Sequence, residues 1–168
     1  MKVFILYAKE NWITDELAKE WIKYNQKYYT TDINTCDIIW VLSNYIYNRI
    51  PQHIYKQKKV IITIHHVVPE KITQQTIRHY RNLDNIANVF LTNQDICKSA
   101  LENYNLVTKP IKIIPLWHNE NIWKIIDNKS LLRQKYNLRQ EDYLIGSFQR
   151  DTEGNSIKNK TFLPKLEK

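Results

Sequence analysis

Residues Asp37–Leu42 read DIIWVL and run straight into Ser43-Asn44. Six residues are too few for a buried helix, and a nearly continuous apolar run bounded by turn formers marks a strand covered on both faces. The same kind of segment recurs at Val3–Tyr7, Val60–Ile64, Asn88–Leu91, Ile111–Ile114 and Tyr143–Phe148. Helical patterns lie between them. From Trp12 to Tyr28 the apolar row is Ile13, Leu17, Trp21, Tyr24 and Tyr28, with Thr14 as a candidate N-cap and Asp15 and Glu16 placed for the helix dipole. A loop and short helix run from Asn44 through Pro51 to Gln57, and helices are predicted over Thr73–Leu83, Gln94–Tyr104 and Ser130–Tyr136. Strands that alternate with helices predict parallel pairing. The expected fold is therefore α/β, a Rossmann-like parallel sheet with helices on both faces.

Composition narrows the function classes. The chain has 168 residues, 43% hydrophobic and 25% charged, which is globular and not disordered. Its only glycines are Gly146 and Gly154, so residues 1–145 hold no Gly-rich phosphate loop and no Asn-Gly or Asp-Gly hairpin. The net charge of +8 is diffuse: residues 1–50 balance, and the excess is shared by the rest with no run of five or six like charges. A dedicated nucleic-acid binder concentrates its charge, so none is expected as partner, although anionic headgroups or nucleotide phosphates suit a weakly basic surface. Cys36 and Cys97 stand far apart in no metal or redox spacing, which favours a reducing compartment. The apolar start Val3–Leu6 is too short for a signal peptide or membrane span. The expected location is cytoplasmic, with peripheral membrane contact at most.

In open parallel sheets ligands sit beyond the carboxyl ends of the strands. The segments there are Ala8–Trp12, Ser43–Tyr47, His65–Lys71, Thr92–Asp95 and Pro115–Asn121, rich in Asn, His, Trp and Tyr. His65-His66 stands out, because a strand-end imidazole can act as a base or hold a hydroxyl; one packed and one solvated histidine is the alternative. Trp117-His118 and Trp123 could stack on a sugar or base, or simply pack. Lys71, Arg78 and Arg81 form either a basic patch or a solvated face. Asp151-Thr152-Glu153 resembles a metal-binding triplet, but such triplets are common in turns, and no metal site is expected. No nucleophile elbow, Walker loop, GxGxxG, zinc cluster or kinase motif is present.

The ordered set of segments resembles the N-terminal half of a GT-B glycosyltransferase of the group 1, or family 4, kind. The segments are CDIIWVLSN (Cys36–Asn44), KVIITIHHVVPEK (Lys59–Lys71), NVFLTNQDICKSALENYN (Asn88–Asn105) and IKIIPLWHNENIW (Ile111–Trp123). LRQKYNLRQEDYLIGSFQRDTEG (Leu132–Gly154) is similar to that family's entry into a second Rossmann domain, where a strand leads to Gly-x-x-x-Arg. The family's frequent Gly-rich loop after the first strand is absent, and Ala8–Trp12 stands in its place.

The resemblance implies an acceptor-type domain over residues 1–126. Residues 127–168 would form the linker and the incomplete start of a nucleotide-sugar-binding domain. It implies transfer of a sugar from a nucleotide-sugar donor to a sugar or lipid-linked acceptor, with no cofactor and no metal, and no transfer by this portion alone. His65 would be the catalytic residue; Asn11, Trp12, Asn44, His66 and Asn93 would contact the acceptor. Arg150 and Lys168 would bind the donor diphosphate, where negative charge develops in the transition state. The alternative expectation is a non-catalytic module that binds a glycan or lipid-linked acceptor in the same cleft.

Overall fold

The computed structural model describes residues 1–117 and 127–143. His118, Trp123, Gly146, Arg150, Asp151-Thr152-Glu153, Gly154 and Lys168, and the predicted strand beyond Tyr143, lie outside the described residues. The chain divides into two compact units, Met1–Trp123 and Lys124–Lys168.

The first unit is built on five strands: β1 (Val3–Leu6), β2 (Ile38–Val41), β3 (Lys59–Thr63), β4 (Val89–Thr92) and β5 (Ile111–Ile113). They form one sheet in the order β1-β2-β3-β4-β5, every neighbour parallel. The register aligns Ile5 with Trp40, Trp40 with Ile61, Ile62 with Phe90 and Phe90 with Ile111. Side chains alternate across a strand, so this register sorts the apolar residues into two layers. Val3, Ile5, Trp40, Leu42 and Leu91 pack with Leu17 and Ala18 of helix α1 (Ile13–Tyr24). Ile39, Val41, Val60, Ile62 and Phe90 pack on the opposite face. Their partners include Tyr80 and Leu83 of helix α3 (Gln74–Asp84) and Leu101 of helix α4 (Asp95–Asn103). Tyr55 of the short helix α2 (Gln52–Tyr55) joins the same layer. The sheet is thus an α/β Rossmann-like structure with helices on both faces.

A single bridge completes the winding. Val3 pairs with Tyr29 in parallel, its N–H donating to Tyr28 O at 2.7 Å while its carbonyl accepts from Thr30 N–H at 3.0 Å. Because β2 occupies one edge of β1, Tyr29 lies on the other. The chain therefore leaves β1 through α1 toward one side, then returns to place β2 on the opposite side. Strand order reverses between β1 and β2, and the carboxyl ends of those two strands flank the crevice in which such sheets bind ligands.

That bridge also corrects the first predicted helix. α1 stops at Tyr24, where Asn25 N–H caps Trp21 O and Ile22 O, and does not reach Tyr28. The backbone at Tyr28 and Thr30 is committed to the sheet edge instead. The predicted apolar row holds only in its middle: Ile13 is 52% exposed and Tyr24 68%, while Leu17 and Ala18 are buried. Thr14 is not the N-cap; Trp12 holds that place with extended backbone, and the Thr14 hydroxyl is buried without a partner. α3 does carry a sequence-coded cap, in which the Thr73 and Thr76 side chains each accept from the other's backbone N–H.

In the second unit, helix α5 (Lys129–Lys135) is capped by Asn128 Oδ1, which accepts from Leu131 N–H. The Arg133 guanidinium donates to Arg139 O and Asp142 O, closing the turn that follows. Among the described residues no helix is long and apolar enough to cross a membrane.

Candidate functional site

The loop from β1 into α1 turns sharply without glycine. Lys9 and Asn11 both take left-handed backbone, with φ of 61° and 56°. Asparagine tolerates that region; for lysine it costs about 1–2 kcal/mol. Asp15 holds the loop in place: its Oδ1 accepts from Lys9 N–H at 3.0 Å and its Oδ2 from Asn11 N–H at 2.7 Å. Only 1% of Asp15 is exposed. Two further contacts fix the loop. Arg49 Nη1 donates to Ala8 O at 3.0 Å, and the Tyr45 hydroxyl donates to Glu10 Oε2 at 3.2 Å. Two of the loop amides that could cradle a phosphate at this crevice are thus bonded to the chain's own buried carboxylate, whose charge repels a second anion.

His65 follows β3 and is half-buried. Its Nε2 lies 2.8 Å from Leu42 O, so Nε2 carries the proton and donates. Burial holds the imidazole below the ordinary histidine value; the Leu42 hydrogen bond opposes that shift and neighbouring His66 adds to it. A neutral ring pinned through Nε2 leaves Nδ1 as an acceptor with no partner among the described residues. Beside it lies a cavity of about 20 Å³, lined among others by Thr63, Leu91, Asn93 and Trp117. That is room for one water molecule. Asn93 Oδ1 is buried without a partner there. One side of the cavity is aromatic: Trp40 stands edge-on to Trp21 at 5.8 Å and tilted to Trp117 at 6.0 Å. Trp40 Nε1–H donates to Thr63 Oγ1 at 2.9 Å, and Trp117 Nε1–H to Leu17 O at 3.2 Å. Trp117 therefore packs against α1 and β2, and both of its polar and apolar sides are engaged.

Asn44 begins a 3-10 helix, Asn44–Arg49, and its Nδ2 donates to His79 Nε2 at 3.2 Å. Burial also holds His79 below its ordinary pKa. The His79 ring meets Tyr47 and Tyr80 edge-on at 5.5 and 5.6 Å.

The sequence-predicted residues therefore divide. His65 and Asn93 line one cavity, and Asn11 and Asn44 stand in the neighbouring loops with their backbone or amide already bonded. Trp12, at 54% exposed, caps α1 at the mouth of the first loop, and His66 is exposed beside His65. Lys71, Arg78 and Arg81 are exposed. Arg150 and Lys168 lie outside the described residues. Asp15, Arg49 and His79 were missed. Asp15 carried a signal, an acid in the first turn of a helix, but that signal speaks of the dipole and not of a carboxylate turned back to close a loop. Among the described residues no three His, Cys, Asp or Glu side chains are grouped to hold a metal ion.

No family model matches the chain, and no curated protein matches its sequence. Solved structures of Anabaena Alr3699/HepE share its fold. The complex with UDP has a TM-score of 0.64 at 14% identity and covers 82% of this chain and 50% of that one. The complex with UDP-glucose has a TM-score of 0.62 at 13% identity, covering 80% and 49%. This chain thus spans about half the length of the structures it matches, and at such identity the likeness is one of fold.

Proposed function

We propose that this chain is the acceptor-side portion of a GT-B glycosyltransferase that moves a sugar from a nucleotide-sugar donor to a sugar or lipid-linked acceptor. The observation that carries the proposal is the fold likeness, across four-fifths of the chain, to about half of a protein whose structures contain UDP and UDP-glucose. The carboxyl-end geometry supports it. A neutral His65, fixed through Nε2, offers Nδ1 to a hydroxyl as hydrogen-bond acceptor or base. Unpartnered Asn93 Oδ1 offers a second acceptor nearby, and the exposed indole of Trp12 supplies a stacking surface.

The closed β1–α1 loop fits a division of labour. Asp15 already takes two loop amides at the switch point of this portion, and the donor diphosphate falls to residues of the second domain, Arg150 and Lys168 in this proposal. Neither cofactor nor metal enters the chemistry, and the setting is cytoplasmic, peripheral to a membrane where the acceptor is lipid-linked. The test is release of nucleoside diphosphate from UDP-, GDP- and dTDP-sugars by the longest natural protein that carries this chain. Acceptor-dependent release, lost in His65→Ala with the fold intact, is the expected result. Release unaffected by that substitution removes His65 from the mechanism. Binding of glycans without release from any donor favours the non-catalytic module instead.

A further inference from the structure

A pocket of about 330 Å³ opens in the outer helical layer, between the segment Tyr47–Tyr55 and the end of α3. Tyr47, which lines it, also meets the ring of His79, the partner of Asn44, and the pocket shares no lining residue with the cavity at His65. Its volume is at the lower end of the range for small-ligand sites, about 300–1,000 Å³. Three primary amides, Asn48, Gln52 and Asn82, line it beside the phenols of Tyr47 and Tyr55. None of the three side chains has a hydrogen-bond partner among the described residues. The floor is apolar and rigid: Ile50 and Ile86 are buried, and Tyr55 is buried with its hydroxyl donating to Tyr47 O at 2.6 Å.

No lining side chain carries a charge. A phosphate or carboxylate entering the pocket would meet no cation in its lining, and an ammonium no anion, so a charged ligand gains no ion pair in exchange for the water it gives up. Each amide presents donors and an acceptor together, which matches hydroxyl groups that also do both. The tyrosine rings and aliphatic floor match the C–H faces of a sugar ring. We propose that this pocket is a second carbohydrate site, taking one or two neutral sugar residues on the outer helical layer and separate from the carboxyl-end cleft.

The test is nuclear magnetic resonance of the intact ¹⁵N-labelled chain, titrated with glucose, N-acetylglucosamine and maltose, and with glucuronate and uridine as controls. The expected result is movement of the Asn48, Gln52 and Asn82 side-chain NH₂ signals by at least one neutral sugar at millimolar concentration. Asn82→Ala and Gln52→Ala, both at exposed positions, should each weaken that binding about fivefold, as loss of one neutral hydrogen bond does. Glucuronate should bind more weakly than glucose. The proposal is overturned if all three neutral sugars leave those signals unmoved, if uridine alone moves them, or if glucuronate binds as well as glucose. Failure here leaves the reading of the His65 cleft untouched, because that reading is tested by diphosphate release and not by these amides.

Discussion

Replacing Asp15 with alanine removes the one side chain that satisfies two amides of the β1–α1 loop. Hydrogen bonds to a charged group contribute about 1.5–3 kcal/mol each, so two set an upper bound of about 3–6 kcal/mol. Two effects reduce it. Lys9 and Asn11 are exposed, so water reaches their freed amides, and deleting a buried carboxylate also removes its desolvation cost. Left-handed backbone at Lys9 loses its anchor, which works in the other direction. The expected loss is about 2–3 kcal/mol, read as a lowered midpoint at unchanged m-value in urea unfolding followed by circular dichroism. Asp15→Asn should fall nearly as far, since its amide can accept from one loop N–H but must turn a donor toward the other. A loss below about 0.5 kcal/mol for either variant is the scale of an ordinary surface substitution. That outcome would refute a loop held by Asp15, and with it the claim that this carboxylate keeps the two loop amides from a phosphate.

Other consequences are separable. His65 should titrate below the ordinary histidine value, with the Nε2–H tautomer in the neutral form; ¹⁵N chemical shifts report both, and an Nδ1–H tautomer contradicts the bond to Leu42. Because its folded-state pKa is depressed, the unfolded chain takes up the proton first. Its contribution is therefore full above the unfolded value of about 6.5 and declines as pH falls toward the folded value, which a pH series of urea midpoints with His65→Gln as reference will isolate. Asp84 accepts from Thr108 N–H, Thr108 Oγ1 and Lys109 N–H, tying the end of α3 to the approach to β5. Burial raises its pKa, but the Thr108 and Lys109 bonds outweigh burial and hold it below the usual carboxylate range. Asp84→Ala should cost about 1–2 kcal/mol at pH 7, and the difference from wild type should shrink as pH falls through the folded pKa. Trp117→Phe keeps an aromatic ring but loses the donor to Leu17 O. A loss of about 1 kcal/mol with a changed Trp40 emission spectrum is expected, and no change in either would unseat Trp117 from the cluster.

Strand identity was legible because burial on both faces writes itself as continuous Ile, Val and Leu, and Asp37–Leu42 is the plainest case. The winding was less so. Tyr29 contributes one bridge and no apolar run, so the reversal of strand order between β1 and β2 left no periodic trace, and Tyr28 was absorbed into the predicted helix. The carboxyl-end loops could be located from the strands alone, which brought His65 and Asn93 into view. Partnerships across the loops could not: Asp15 with Lys9 and Asn11, Arg49 with Ala8, and Asn44 with His79 join residues by three-dimensional position. The absence of glycine from residues 1–145 pointed to a missing phosphate loop, but only the left-handed Lys9 and Asn11 reveal how the turn is made without one.

The central claim is tested most directly by sugar transfer. The longest natural protein containing this chain is supplied with UDP-, GDP- and dTDP-sugars and a panel of neutral and lipid-linked acceptors, and nucleoside diphosphate release is measured for wild type and His65→Ala. Acceptor-dependent release from at least one donor is expected, with its loss in the variant. Absence of release from every donor would contradict the glycosyltransferase reading; equal release by both proteins would keep that reading and remove His65 from the mechanism.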